Sequence, residues 1–103
     1  MTQITTDLLL KAYMCGVFPM AETKDSEEAF WVDPEKRGIL PLTKFHISKR
    51  LTKKIKTSPY DVTINKAFSE VMQSCSLVAK GRSETWINSQ ITSLFEELHS
   101  MKL

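Results

Sequence analysis

The sequence is poor in the residues that build metal centres and disulfide frameworks. Two cysteines, Cys15 and Cys75, and two histidines, His46 and His99, occur among its 103 residues. Their spacing matches no metal site and no disulfide framework, so we expect both thiols to be reduced and buried. A glycine-rich phosphate loop and a nucleophile elbow are also missing. The sequence therefore predicts no metal ion and no catalytic constellation in this chain.

Long hydrophobic runs are absent as well. The short run Leu8-Leu9-Leu10 follows Asp7, where a signal peptide would have a basic region. We expect neither a transmembrane helix nor a signal peptide, and we expect a cytoplasmic protein. The hydrophobic fraction of 42% and the charged fraction of 25% are those of a globular protein. A chain of this length suffices for one domain, or for one domain and a fragment.

Acidic residues are missing from one short segment, and that segment holds the excess positive charge. Residues 44–56 contain six basic side chains and no acidic one, whereas the whole chain has a net charge of +2. The remainder of the chain is therefore net negative. Such a segment binds a polyanion through charge and counterion release. The alternative interpretation is a solvated helix face.

Four segments have the apolar spacing of helices, and the first three of them follow a candidate capping residue. They are Leu8–Cys15 (after Thr5 or Thr6, ended by Gly16), Lys49–Thr57 (after Ser48), a segment after Asn65, and a segment from about Asn88. In the second helix Ile47, Leu51 and Ile55 form a narrow apolar stripe, so the basic side chains occupy the other faces.

Three further segments have strand-like composition, namely Phe30–Val32, Ile39-Leu40 and Tyr60–Ile64. Trp86 lies just before the last helix, where an indole is either part of the core or a platform that stacks on a purine. The last helix reaches Leu103 with its apolar stripe still running and without a capping residue, so we expect a chain that is cut short.

Taken together, the motifs resemble the bacterial leucyl/phenylalanyl-tRNA–protein transferases. The matching stretches, in the family's order and spacing, are Leu8–Tyr13, Gly16–Pro19, Phe30-Trp31 with Pro34 and Arg37, His46–Ser48, Ser58–Tyr60, Val62-Thr63, Ala67-Phe68, Cys75, Thr85–Ile87 and Leu98-His99. Each tripeptide is weak evidence alone, and the ordered set is strong evidence.

The resemblance implies an α/β (α+β) fold. Residues 1–57 would be the small N-terminal α/β domain, and residues 58–103 would be the first strand and helices of an incomplete N-acetyltransferase-like catalytic domain. The implied activity is that of an aminoacyltransferase that moves leucine or phenylalanine from aminoacyl-tRNA to the N-terminal arginine or lysine of an acceptor protein, which marks that protein for degradation. No metal or cofactor is implied, because the ester of aminoacyl-tRNA is already activated. A complete member is expected to be a monomer without membrane contacts.

The resemblance also implies site residues. Trp86 would pack on the terminal adenosine of the tRNA, with Met20 at the position of a family tryptophan on the opposite side. A thioether covers a purine face without aromatic stacking. Tyr13 and Phe95 would approach the same pocket. The basic surface that holds the tRNA would consist of Lys49, Arg50, Lys53 and Lys56.

One departure from the family bears on activity. The family continues well beyond the position of Leu103 and carries there the rest of its sheet, the amino-acid pocket and the residues assigned to catalysis. We therefore expect an N-terminal portion that is inactive alone. The competing hypotheses are a stand-alone basic RNA-binding module without catalysis, and a structural fragment in which the lysines are solvated and Trp86 is core.

Overall fold

A computed structural model describes residues 3–103, which form a mixed α/β fold as predicted. Within these residues, the elements in chain order are α1 (Thr6–Met14), β1 (Phe18–Met20), β2 (Phe30–Val32), α2 (Lys49–Thr57), α3 (Phe68–Cys75) and α4 (Ser89–Ser100). No helix of this part of the chain is long and apolar enough to cross a bilayer.

The ends of α1 are set by local side-chain and backbone chemistry. Thr5 is the N-cap, and its Oγ1 accepts a hydrogen bond from the backbone N–H of Leu8 at 3.2 Å. Gly16 has a φ of +84° just past the helix, a left-handed conformation that glycine adopts without a steric penalty. Both the predicted cap and the predicted stop are therefore confirmed.

The two strands form an antiparallel ribbon directly after α1. Phe18 is paired with Val32, Pro19 with Trp31, and Met20 with Phe30. Proline has no backbone N–H to donate, and such a residue is tolerated where a strand lies at the edge of a sheet. The ribbon confirms the predicted strand at Phe30–Val32. Its partner strand contains Phe18 and Pro19.

Two small clusters of buried apolar residues form the core, and α4 contributes to both. The first cluster consists of Ile4, Leu9, Leu94 and Leu98, and the second consists of Ala21, Ile87 and Ile91. Phe95 and Ala29 pack against both clusters. The apolar stripe of α4, with residues three and four positions apart, is thus buried against α1 and the end of β1.

Helix α3 packs on α4 through two pairs of side chains. The rings of Phe68 and His99 are stacked, with centroids 4.4 Å apart and planes inclined by 13°. Ser69 donates a hydrogen bond to the carboxylate of Glu96. The predicted cap at Asn65 is wrong, because the N-cap of α3 is Ala67, without a side-chain hydrogen bond. Asn65 instead has a φ of +60°, which Asn tolerates better than most residues.

The described chain divides into two compact units. Glu35–Lys66 forms one unit, and the rest of the described chain forms the other. Within Glu35–Lys66, the predicted strands Ile39-Leu40 and Tyr60–Ile64 are wrong, since both segments are irregular. A strand needs a neighbour to complete its hydrogen bonds, and these segments pair with no residue among 3–103. The domain division after residue 57 stays a prediction.

The prediction of buried thiols is also wrong, because both cysteines are exposed. Cys15 is the C-cap residue of α1, and Cys75 is the last residue of α3. Both therefore lie beyond the residues through which their helices pack. Spacing placed Cys75 on the buried side of its helix, whereas α3 packs against the second core cluster through Met72, about one turn earlier.

Candidate functional site

Helix α2 forms because its first turn is well capped. Ser48 is the N-cap, and its Oγ accepts from the backbone N–H of Leu51 at 3.1 Å. The hydroxyl of Thr52 donates to the carbonyl of Ser48 at 3.1 Å, and that of Thr57 donates to the carbonyl of Lys53 at 2.9 Å. The predicted helix and its predicted cap are thus confirmed.

Three of the predicted basic site residues share one face of α2. Lys49, Lys53 and Lys56 lie at positions i, i+4 and i+7, which fall on the same side of a helix. Together with Ile47, Thr52 and Thr57, these lysines line a shallow concavity of about 400 Å³. Arg50 is one position after Lys49 and is therefore rotated by about 100° around the helix axis.

The basic side chains of α2 are available to an external anion. No residue of α2 is buried. None of its five lysine and arginine side chains forms an ion pair with another described residue, in contrast to Lys11, whose Nζ lies 3.1 Å from Asp7. The first turn of α2 also has no acidic side chain. The field of this helix is therefore positive and uncompensated within the described chain.

The predicted aromatic site residues lie in the other unit, around the end of β1. The backbone N–H of Ala21 donates to the carbonyl of Trp86 at 2.9 Å. This bond places the backbone of Trp86 next to that of Met20. The indole of Trp86 is 43% exposed, and Met20 is half-buried. Because Trp86 is exposed and its neighbour Ile87 enters the core, the indole itself is open to a ligand.

Tyr13 and Phe95 make an edge-to-face contact between α1 and α4. Their ring centroids are 6.2 Å apart and their planes are inclined by 69°. Partial burial raises the pKa of the Tyr13 phenol, since the charged form loses hydration. Phe95 packs against both core clusters, the second of which contains Ala21 and Ile87. Phe95 thus joins Tyr13 to the core cluster that contains Ala21 and Ile87, which follow Met20 and Trp86 in the chain.

Two site features were not predicted from the sequence. Asn88 is 1% exposed and caps α4, with its Oδ1 accepting from the N–H of Ile91 at 2.9 Å. Its amide also donates to the carbonyl of Ser26 at 3.0 Å, and Ser26 lies in the acidic loop of residues 22–28 between β1 and β2. The first bond follows from local sequence, and the second joins segments far apart in the chain, for which the sequence offers no signal.

The second unpredicted feature is a concavity beside β2, of about 300 Å³. Its lining combines acidic, aromatic and aliphatic side chains, which are Ile4, Leu8, Glu27, Glu28, Ala29, Trp31 and Gln90. The adjacency of the acidic loop to Phe30-Trp31 in the sequence was the only signal for it. Among residues 3–103, no group of three or more His, Cys, Asp or Glu side chains is placed to hold a metal ion.

Two segments of the chain match models of one protein family. Residues 39–103 match the family model described as leucyl/phenylalanyl-tRNA protein transferase. Residues 2–35 match the model of the N-terminal domain of the same proteins. No solved structure matches this chain.

Three curated relatives carry the name leucyl/phenylalanyl-tRNA–protein transferase. The relative from Paramagnetospirillum magneticum is 48% identical over 103 residues, which are 100% of this chain and 49% of the relative. The relative from Rhodopseudomonas palustris is 44% identical over 97% of this chain and 44% of its own length. The relative from Rhodospirillum rubrum is 44% identical over 100% of this chain and 48% of its own length. The chain spans about half the length of the curated relatives that it matches.

Proposed function

The chain belongs to the leucyl/phenylalanyl-tRNA protein transferase family, and from this membership we propose that it holds aminoacyl-tRNA for an aminoacyl transfer reaction. The reaction moves leucine or phenylalanine to the N-terminal arginine or lysine of an acceptor protein in the cytoplasm. The acceptor amine attacks the ester carbonyl, a peptide bond forms, and the ester C–O bond breaks. The terminal adenosine leaves with its hydroxyl restored, while the amine loses a proton.

The observation that carries this proposal is the lysine face of α2. Lys49, Lys53 and Lys56 lie on one side of an exposed helix and are not neutralised by any described residue. An RNA duplex offers phosphates at regular intervals, and lysines contact them through charge rather than through base identity. We assign the acceptor region of the tRNA to this face, with Arg50 as a neighbouring phosphate contact.

The aminoacyl end of the tRNA is assigned to the aromatic residues of the other unit. The exposed indole of Trp86 supplies a stacking surface for the terminal adenosine. The backbone of Met20 lies beside that of Trp86, because the N–H of the following residue, Ala21, donates to the Trp86 carbonyl. The edge-to-face pair of Tyr13 and Phe95 supports this region from α1 and α4. We assign binding and orientation to these residues, and we assign no catalytic group to residues 3–103.

The family match favours a transferase over a stand-alone RNA-binding module without catalysis. The experiment that tests the proposal measures the affinity of the purified chain for leucyl-tRNA at several salt concentrations. The test variant carries Lys49→Gln, Lys53→Gln and Lys56→Gln. The control variant removes the same charge from the other unit, with Lys24→Gln, Lys80→Gln and Lys102→Gln.

For the unmodified chain, we expect the logarithm of the affinity to fall linearly with the logarithm of the salt concentration. In the test variant that slope decreases by roughly 2 to 3, because each neutralised phosphate contributes about 0.7 to 0.9. The control variant keeps most of the slope. Equal losses in the two variants, or an affinity that salt does not change, would contradict the assignment to α2.

A further inference from the structure

Three segments of the unit that holds both strands meet the second core cluster through single residues. The inward residues are Ala21 after β1, Ile87 before α4 and Ala29 before β2. Successive side chains of an extended chain point to opposite faces. The residue adjacent to each of these three in the chain is therefore expected to face away from the core.

The outward neighbours are Met20, Trp86 and Phe30. Their exposure agrees with that direction, since Phe30 is 47% exposed, Trp86 is exposed to a similar extent and Met20 is half-buried. Among the described residues, neither the phenyl ring of Phe30 nor the indole of Trp86 stacks on another aromatic ring. Both rings are thus open to a ligand.

Backbone pairing places these three side chains in one row. Met20 and Phe30 are direct partners in the ribbon, so their side chains share a face, with Cβ atoms about 5 Å apart. Pro19 has no N–H, so the residues on either side of it, Met20 included, make the hydrogen bonds of β1 to β2. The N–H of Ala21 then points to the other edge of β1, where it donates to Trp86. Met20 is therefore the middle of the row, between Phe30 and Trp86.

The row has the dimensions of a slot for one base. Neighbouring backbones in a sheet are about 4.8 Å apart, which puts those of Phe30 and Trp86 roughly 10 Å apart across Met20. A flat base between two rings needs about 7 Å between the ring planes, since each contact distance is about 3.5 Å. The two rings therefore fit on either side of one base, with Met20 as the floor.

The charge around Phe30 indicates which part of a nucleic acid enters the slot. Phe30 also lines a concavity of about 490 Å³, and the other lining residues are Glu22, Ser26, Glu27, Glu28 and Ala29. None of the three carboxylates forms an ion pair with a described residue. Carboxylates repel phosphate, whereas they accept hydrogen bonds from the exocyclic amine of adenine. The base of a nucleotide therefore suits this side of the ribbon better than its phosphate.

We infer that Phe30 is the second aromatic wall of the terminal adenosine site, opposite Trp86 and with Met20 between them. This inference rests on the proposed function, which assigns the terminal adenosine to Trp86. Rings on both faces fix the plane of the base and, with it, the position of the ester on the attached ribose. Phe30 contacts the base and not the reacting atoms, so its role is binding and orientation.

The test compares two ligands, uncharged leucine tRNA with and without its terminal adenosine. Phe30→Leu keeps an apolar side chain and removes the ring. It should lower the affinity for the complete tRNA by about 5- to 100-fold, because one stacking surface of the base is lost. It should leave the affinity for the shortened tRNA unchanged, since that tRNA has no base in the slot.

Two control variants separate stacking from apolar bulk. Phe30→Tyr retains the ring and should bind both tRNAs as the unmodified chain does. Phe45 is a phenyl ring of similar exposure outside the slot, and Phe45→Leu should leave the ratio of the two affinities unchanged. Circular dichroism and urea unfolding check that each variant is folded.

A second measurement uses the unmodified chain. A tRNA with 2-aminopurine as its terminal base should lose fluorescence on binding, because the base stacks on aromatic rings. The remaining emission should be shielded from acrylamide, because rings cover both faces of the base. This readout does not depend on the folding of any variant.

Several results would overturn the inference. They are an unchanged affinity of Phe30→Leu for both tRNAs, an equal loss for both tRNAs, an equal loss in Phe30→Tyr, and a terminal 2-aminopurine that stays accessible to acrylamide. In each case, salt-dependent binding by the unmodified chain would leave the proposed function standing. If the unmodified chain binds neither tRNA, the proposed function and this inference fail together.

Discussion

Asn88 and Ser26, 62 positions apart, are joined by a hydrogen bond of 3.0 Å from the Asn88 amide to the Ser26 carbonyl. The same side chain caps α4 through Ile91. Asn88 is buried, so water does not compete for either bond. Asn88 therefore fixes both the start of α4 and the position of the acidic loop.

Two substitutions of Asn88 should lower the free energy of unfolding by different amounts. Asn88→Ala loses the cap and the bond to Ser26, which we expect to cost about 2 kcal/mol in total. Asn88→Ser keeps an oxygen that can cap α4 but cannot reach Ser26, and should cost about 1 kcal/mol. Urea unfolding followed by circular dichroism measures both values. Equal destabilisation by the two substitutions would show that the bond to Ser26 contributes nothing.

The first core cluster should be sensitive to the loss of a single side chain. Leu9 is fully buried against Leu94 and Leu98, so Leu9→Ala should reduce the free energy of unfolding by about 2 to 5 kcal/mol. Leu42 is 87% exposed, and Leu42→Ala should change the free energy of unfolding by less than about 0.5 kcal/mol. Thermal unfolding of the two variants in parallel tests this. A comparable loss in both would contradict the placement of the core.

Tyr13 should make the chain less stable in strongly alkaline solution. Burial raises the pKa of its phenol above the ordinary value of 10.0, so the folded chain keeps a proton that the unfolded chain releases. The resulting stability is present below pH 10 and is lost as the pH rises through the folded pKa. Absorbance at 295 nm during a pH titration should show a late-titrating phenol that Tyr13→Phe removes. An unchanged titration in that variant would contradict the assignment.

Both thiols should react in the folded chain. Cys15 and Cys75 are exposed, so a chromogenic disulfide reagent should modify two thiols per chain without denaturant. Cys15→Ser and Cys75→Ser should each remove one reactive thiol. A cysteine that reacts only after urea is added would contradict its exposure in the structure and would favour the burial predicted from the sequence.

Trp86 should report the terminal adenosine of bound tRNA. The chain has two tryptophans, so Trp31→Phe leaves Trp86 as the sole indole. Binding of leucyl-tRNA should quench its fluorescence, because a purine stacked on an indole is an effective quencher. A tRNA that lacks its terminal adenosine should bind through the lysine face and leave the emission unchanged. Equal quenching by both tRNAs would contradict the stacking role.

Local chemistry was predictable from this sequence, and long-range pairing was not. The caps at Thr5 and Ser48 are confirmed, because each depends on an N–H three residues away. The strand predicted at Tyr60–Ile64 and the burial predicted for Cys75 are wrong. Both depend on partners elsewhere in the chain or outside it, which hydrophobic spacing does not specify.

The site residues show the same division. Resemblance indicated Tyr13, Phe95, Met20 and Trp86 individually, and their roles stay predictions. Only the structure places the Tyr13 ring against Phe95. Only the structure joins Ala21, the residue after Met20, to the carbonyl of Trp86. The apolar stripe of α2 predicted that its basic side chains occupy the other faces of the helix, since that arrangement needs no partner.

The packing of Leu9 against Leu94 also has a consequence for synthesis. The ribosome makes α1 first, and the residues of α4 that bury it follow about 85 positions later. At typical rates of translation this interval lasts roughly 4 to 17 s, far longer than a helix takes to form. The time during which nascent α1 is open to chaperones and proteases is therefore set by the speed of elongation, and slow codons in this interval would lengthen it.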